Sequence, residues 1–351
     1  MILKSTKTGV FLKSRKNNCP IFIPNKLISS KVNILKNNKY FINSTTKIDE
    51  SFNSIFKVYL YKFIAGNKSL HYGFADIAVQ DLFLCKEVRI ATSTCVSTVV
   101  NAINIFDKEV EGFKDIERIK IENLIKCNRK LRPNEKKYGI RSSVIIAGNI
   151  KKNKYSFYCV PPNKIEELMD DFIVFYNEDK SILNKILIGM MQFINIHPFK
   201  DGNGRISRVL FLSLMQKHYG CLYSSIFFLY LKNINRMNYF EAMYNYRNGD
   251  TIRLKKFYLK AISWTNTSVK VMEELMQEYK AQIKPDSISM NPIYSQIVVK
   301  VEKSEQLDST IFKLHTQKGK NSIYLNTALL NVLNQFDYYL RFELRACLSK
   351  D

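Results

Sequence analysis

Paired cysteines are missing from this sequence. Its seven cysteines, Cys19, Cys85, Cys95, Cys127, Cys159, Cys221 and Cys347, are odd in number and scattered, with no CxxC pair and no metal-ligand spacing. That argues against a disulfide framework and points to a reducing compartment. Long apolar runs are missing too. None approaches the roughly 18 residues that a membrane span requires. The basic N-terminus, MILKSTKTGVFLKSRK, lacks the apolar core of a secretory signal. The expectation is a soluble cytoplasmic protein with no membrane partner, export without a cleaved signal being left open. Acidic residues are absent from the first 47 positions, which hold ten Lys and Arg and so nearly half of the net charge of +23. Residues 286–351 carry eight basic and seven acidic residues, close to balance. A basic excess invites a nucleic-acid partner. No basic-aromatic motif accompanies it here, so a solvated Lys- and Asn-rich surface is the preferred reading.

What is present is a full globular core. The chain has 351 residues, 46% of them hydrophobic, enough for one large domain or two to three smaller ones. Helical spacing dominates. Asn163 and Glu166 have the spacing of a capping box, and Ile165, Leu168, Met169 and Phe172 then share a face. Ile182, Leu183, Ile186, Leu187, Met190 and Met191 repeat the pattern. The run RISRVLFLSLMQKHYG is apolar on more than one face, which predicts a buried central helix ending at Gly220. Between Arg141 and Pro161 the sequence alternates and is rich in β-branched and aromatic residues, predicting a short β-hairpin. Residues 1–47 read as irregular, with PIFIPNKL extended between prolines. Residues 281–295 read as a linker. Beyond them LNTALLNVLNQFDYYLRFEL predicts a helix in a small C-terminal unit. The expected domains are 1–104, 105–280 and 281–351.

The stretch His197 to Arg208, HPFKDGNGRISR, concentrates chemistry. Pro198 forces a turn after one helix, and the next helix begins near Asn203 or Gly204. A glycine-rich loop at a helix N-terminus favours an anion. Gly202 and Gly204 let the backbone approach it. Arg205 and Arg208 suit a polyphosphate. Asp201 is a candidate Mg²⁺ ligand, because Mg²⁺ takes one or two carboxylates plus phosphate oxygens. His197 is a candidate base. Together these point to nucleotidyl or phosphoryl transfer. A lone Gly-x-Gly would only turn the chain. Here a base, an acid, an anion cradle and two guanidinium groups coincide. His71, His218 and His315 have no such company and read as surface or core residues.

The same stretch resembles the signature of the Fic family, HPFx(D/E)GNGRxxR, at every defining position. IRSSVIIAG and VPPNKIEELMDDF resemble the family's flap and next helix. NYFEAMYNYRNGDTIRLKKFYLKAI resembles the segment closing the adenosine side. The resemblance spans about residues 20 to 265. It implies a mostly α fold: a Fic-type helical core with a β-hairpin flap, plus a small C-terminal unit read as a degenerate winged helix. The implied activity is AMP transfer from ATP, with Mg²⁺, to a Tyr, Thr or Ser hydroxyl of a target protein. His197 would be the general base, Asp201 the Mg²⁺ ligand, and Gly202, Asn203 and Gly204 the anion hole. Arg205 and Arg208 would grip the β- and γ-phosphates, with Phe199 anchoring the loop. Ala147 and Gly148 of the flap would lie near the nucleotide, and Tyr239 is a candidate adenosine contact. The target protein would lie along the flap, residues 141–161. A homodimer is left open. Kinase-like relatives have Lys at the position of Gly204 and lack the final Arg, so Gly204 and Arg208 favour AMP transfer. Transfer of a uridylyl or phosphocholine group is the alternative, as is a non-enzymatic nucleic-acid-binding regulator. Many relatives carry an inhibitory helix, (S/T)xxxE(G/N). The matching segment is ATSTCVST, with Thr92 or Ser93 as the hydroxyl residue and Val96 where the glutamate belongs. An uncharged Val cannot pair with Arg208, so the usual self-inhibition is expected to be absent.

Overall fold

A computed structural model describes residues 2–12, 21–27, 48–65, 77–133, 138–147, 157–178, 181–234, 236–283, 292–305 and 307–348. In chain order its strands are β1 (Ile2–Thr6), β2 (Gly9–Leu12), β3 (Ile21–Pro24), β4 (Ile146–Ala147), β5 (Phe157–Tyr158), β6 (Val298–Glu302), β7 (Phe312–Lys318) and β8 (Asn321–Asn326). Its helices are α1 (Asn53–Ile64), α2 (Val79–Val88), α3 (Thr94–Lys114), α4 (Ile121–Leu131) and α5 (Ile165–Glu178). Then Ile182–Asn184, a π-helical turn Lys185–Gly189 and Met190–Ile196 run on as one helix, α6. After it come α7 (Asn203–Tyr219), α8 (Cys221–Leu229, extended by a π-helical turn Tyr230–Ile234), α9 (Arg236–Arg247), α10 (Thr251–Ala281) and α11 (Thr327–Leu348). Two compact units emerge, each drawn from separate stretches of chain. The first comprises Met1–Ile42, Lys108–His218 and Asn235–Ser263; the second comprises Asn43–Asp107, Tyr219–Ile234 and Trp264–Asp351.

The first unit is a helical core with a small sheet. Helix α7 runs through it as the spacing predicts: Ile206, Val209, Leu210, Phe211, Leu212 and Met215 have no exposed surface. Helix α5 buries Ile165, Leu168, Met169 and Phe172, the predicted face. It opens through a 3₁₀ turn at Pro162–Lys164, so Asn163 lies inside that turn instead of capping the helix. Proline is already set for the first helical position, which starts the turn before Asn163 can cap it. Phe172 packs 5.6 Å from Phe193 and 6.3 Å from Phe211, and Phe193 lies 6.5 Å from Phe199. This aromatic chain ties α5, α6 and α7 to the loop after α6. Each such ring removes roughly 150–250 Å² from water.

The N-terminal residues correct the sequence reading. Those that are described form β1, β2 and β3 instead of irregular chain. They complete a five-stranded sheet in the order β1-β2-β3-β5-β4. Strands β1, β2 and β3 pair antiparallel, β3 pairs parallel with β5, and β4 pairs antiparallel with β5. These short strands show no clear period of their own. They are stabilised by a partner more than a hundred residues downstream and by a common apolar face. Phe22, Phe157 and Cys159 are buried together, with Phe11, Ile145 and Ala147 packed against them.

In the second unit, α1 is buried along most of its length and packs on α8. Tyr61 meets Phe106 edge-on at 5.2 Å. Strands β6, β8 and β7 form an antiparallel sheet in that order. Asn326 ends β8 and caps α11: its side-chain oxygen accepts from the Leu329 N–H at 2.9 Å, and its Nδ2 donates to the Tyr279 hydroxyl at 2.8 Å. The helix predicted from LNTALLNVLNQFDYYLRFEL is present here as α11.

Candidate active site

The loop begins where α6 ends. His197 caps that helix with a left-handed backbone, φ 53° and ψ 58°. For a residue with a Cβ this conformation costs roughly 1–2 kcal/mol, so the surroundings must hold it. The His197 N–H donates to Phe193 O at 3.0 Å. Arg141 holds the carbonyls: its main-chain N–H donates to Pro198 O at 3.0 Å, its Nε to His197 O at 2.8 Å and its Nη2 to Ile196 O at 3.3 Å. On the imidazole, Nδ1 lies 3.1 Å from Ile194 O. A carbonyl only accepts, so Nδ1 carries the hydrogen and Nε2 keeps its lone pair. Burial pushes the pKa of the ring down to about 4, with the Ile194 hydrogen bond and Asp201 opposing the shift and Arg141 adding to it. The ring is therefore neutral near pH 7, as a proton acceptor must be.

The turn after His197 is closed by Asn203. Its Oδ1 accepts from the Phe199 N–H at 2.9 Å and its Nδ2 donates to Phe199 O at 2.7 Å. This side chain is spent on shaping the loop, so what Asn203 offers an anion is its main-chain N–H at the start of α7. Phe199 is buried and bridges to Ile140, as an anchor should. Gly202 has φ +90°, and a Cβ there would stand 2.6 Å from Asn128 Nδ2 and 2.9 Å from Arg132 Cδ. No other residue fits that conformation and that space.

Asp201 is exposed, and its neighbours come from the end of α4. Asn128 Nδ2 donates to Asp201 O at 2.9 Å. Arg132 Nε pairs with Asp201 Oδ2 at 3.1 Å, and Arg205 Nη2 pairs with the same oxygen at 3.3 Å. Arg205 also donates from Nη1 to Leu131 O at 2.8 Å. Its guanidinium is thus turned towards Asp201 and α4. Arg208 places Nη1 3.4 Å from where a Cβ on Gly204 would sit. Its charge also acts on the Tyr239 hydroxyl: burial raises the pKa of that tyrosine, and Arg208 opposes the rise. Tyr239 rests 5.9 Å from Phe257. Arg208, Gly204 and Tyr239 are therefore brought together.

A single exposed carboxylate beside a glycine turn is a donor set that fits Mg²⁺ held mainly by phosphate oxygens. Among the described residues no cluster of three His, Cys, Asp or Glu could hold a metal alone. Ala147 packs against the sheet's apolar face and pairs with Phe157 across β4 and β5. Gly148 lies outside the described residues. Thr92, Ser93 and Val96 belong to the second unit, where Ser93 Oγ accepts from the Val96 N–H at 3.3 Å at the start of α3 and Val96 is buried.

Sequence reasoning missed Asn128, Arg132, Arg141 and Arg247. Asn128 had a signal: it shares the buried face of α4 with Leu124, Cys127 and Leu131. A polar residue in an apolar stripe asks for a partner, and Arg132 follows it by four. Arg247 is buried, with its guanidinium 4.0 Å over the Phe157 ring and Nη1 3.4 Å from Asn195 Oδ1.

Residues 111–215 match the family model described as "Fic/DOC family". This segment belongs to the Fic/DOC family. At the family level it is a Fic-type transferase domain. A Fic family protein from Desulfovibrio desulfuricans has a similar fold, with a TM-score of 0.50 at 14% identity over 82% of this chain and 91% of that one. The E274G variant of Fic-1 from C. elegans gives a TM-score of 0.44 at 15% identity over 62% of this chain and 63% of that one. A Fic-domain-containing signaling protein from Bacteroides thetaiotaomicron gives 0.41 at 16% identity, over 61% and 89%. A curated relative, the ribonucleoside-diphosphate reductase small chain of Ostreid herpesvirus 1, is 28% identical over 159 residues. That match takes in 41% of this chain and 24% of the viral protein, so the chain spans about a quarter of that relative's length. The Fic segment holds His197 to Arg208 together with Asn128, Arg132 and Arg141.

Proposed function

We propose that this chain is a Mg²⁺-dependent protein adenylyltransferase, moving AMP from ATP to a Tyr, Thr or Ser hydroxyl of a target protein or of itself. The observation that carries this reading is the His197 ring: Nδ1 is engaged by Ile194 O, so Nε2 is the base, and the amino end of α7 begins two residues after Asp201. The acceptor hydroxyl gives its proton to Nε2 as its oxygen forms a bond to the α-phosphorus. The bond from that phosphorus to the bridging oxygen breaks, and pyrophosphate leaves. The N–H groups of Gly204 and its neighbours and the guanidinium of Arg208 face the phosphates, where their charge stabilises the leaving group. Asp201 would hold Mg²⁺, which when bound neutralises phosphate charge. Tyr239, beside Arg208, would border the adenosine.

Among the described residues β4 ends the sheet, so its outer edge can take an extended segment of the target by strand addition. Val96 in place of a restraining glutamate would leave the transferase active without an activating mutation. The reaction is tested with labelled ATP and mass spectrometry. The expected result is an AMP adduct on the protein or a partner in a lysate, absent with His197→Ala. An adduct of another mass, or competition by a uridine or choline nucleotide in place of ATP, would replace adenylyl transfer by the corresponding group transfer.

A further inference from the structure

We propose that Arg141 is the positioning residue of this site, fixing His197 against the acceptor held by the flap. The inference rests on the adenylyl-transfer reading for its kinetic consequence, and on geometry alone for its structural one. Arg141 is 5% exposed. All three of its guanidinium nitrogens donate to main-chain carbonyls. Nε takes His197 O, Nη1 takes Ser143 O at 2.8 Å, and Nη2 is shared between Val160 O at 2.5 Å and Ile196 O at 3.3 Å. With its own N–H on Pro198 O, this one residue holds three successive carbonyls, Ile196, His197 and Pro198.

Two physical arguments separate positioning from mere packing. First, a buried cation is costly, and an apolar residue of similar volume would fill the space at lower cost. What the guanidinium adds is a rigid fork with donors in fixed directions. Here the fork spans two objects: the end of α6 and both feet of the flap, since Ser143 precedes β4 and Val160 follows β5. Second, the conformation of His197 is the strained one. Releasing its carbonyl lets the peptide leave the left-handed region and takes the ring with it. The phosphate loop would stay, because Asn203, Asn128 and Arg132 hold it from other sides. A cation at the carboxyl end of α6 also suits the helix dipole, which favours its staying in place.

The test uses Arg141→Lys and Arg141→Gln in the full chain. Lysine keeps the charge but has one donor centre and cannot span both limbs. With Arg141→Lys, kcat for AMP transfer should fall on the order of 10²-fold, the scale of a misplaced reacting group, while KM for ATP stays within about twofold. A truncation, Arg141→Gly, should recover part of kcat with added methylguanidinium. An independent arm needs no activity: ¹⁵N NMR of the His197 ring should show one tautomer in the natural protein and an averaged pair of tautomers in both variants. Wild-type kcat in Arg141→Lys would overturn the proposal. So would a parallel loss of kcat, ATP affinity and folded fraction, or a His197 spectrum unchanged in Arg141→Gln. If the natural protein transfers no AMP, the adenylyl-transfer reading fails, and the NMR arm still decides the role of Arg141.

Discussion

Arg141 in the first unit and Lys62 in the second are both cations withdrawn from water, at 5% and 1% exposure. Their surroundings differ. Arg141 is held by neutral carbonyls, each at a set angle. Lys62 has a counter-ion: its Nζ lies 3.2 Å from Asp337 Oδ1, and the Tyr59 hydroxyl donates to the same oxygen at 3.0 Å. Arg341 Nε pairs with the other carboxylate oxygen at 2.5 Å. The Lys62 ammonium also sits 5.0 Å from the Tyr59 ring centroid and 4.6 Å from that of Phe63. Compensation of charge by charge is a packing solution, tolerant of small shifts because a Coulomb interaction falls slowly with distance. Compensation by directed hydrogen bonds demands geometry. The two cations therefore teach how to separate a group that holds an element together from one that aims a reacting atom.

The largest effect that sharpens this contrast is on chemistry. His197→Ala should lower AMP transfer about 10³-fold, within the range for loss of a general base, whereas Lys62→Met should leave initial rates within about twofold. A tenfold loss with Lys62→Met would break the division of roles. On stability the order reverses. Asp337→Asn strands a buried ammonium and should cost about 3 kcal/mol in denaturant unfolding. Lys62→Met should cost less, because Asp337 keeps Arg341 and Tyr59. Gly202→Ala should come next, losing roughly 2 kcal/mol from backbone strain and the contact with Asn128, with transfer falling in step.

Acid should also tell the two units apart. Burial works to raise the Asp337 pKa, but Lys62, Arg341 and Tyr59 outweigh it and hold the carboxyl below its usual 3.8. The stabilisation from that group is present above about pH 3.8 and is lost as pH falls through the lower folded value. His197 behaves differently. Its folded pKa of about 4 lies below 6.5, so between these values the unfolded chain binds the proton and the folded chain does not. Stability falls as pH drops from 6.5 to 4, yet the folded ring stays a competent base until near pH 4. A pH profile of transfer with its acid limb at 6.5 would contradict the burial of the ring. The smallest expected effect is that of Gly204→Ala. Its methyl group would meet Arg208 Nη1 at ordinary contact distance, raising KM for ATP less than about tenfold with no measurable loss of stability.

Contiguity decided what could be read from the sequence. His197 to Arg208 lie side by side, so their chemistry and their place between two helices were visible. The faces of α5, α6 and α7 were legible because helical packing repeats every three to four residues. The N-terminal strands were not, since β3 finds its parallel partner at β5 far along the chain and four residues such as IFIP carry too little period to announce a strand. Asn203 was read as part of an anion hole, but the bonds of its side chain to Phe199 appear only once the turn is built.

The sequence alone determined the candidate groups, their order and the helices that present them, because side-chain identity and periodicity are local properties. Only the tertiary structure decided which nitrogen of His197 keeps its lone pair and which side chain holds the carbonyls beside it. The partners of both are main-chain carbonyls, at Ile194 for the ring and at Ile196, His197 and Val160 for Arg141. Every residue possesses a carbonyl, so the choice among them leaves no mark in the order of amino acids and is made by the folded path of the chain.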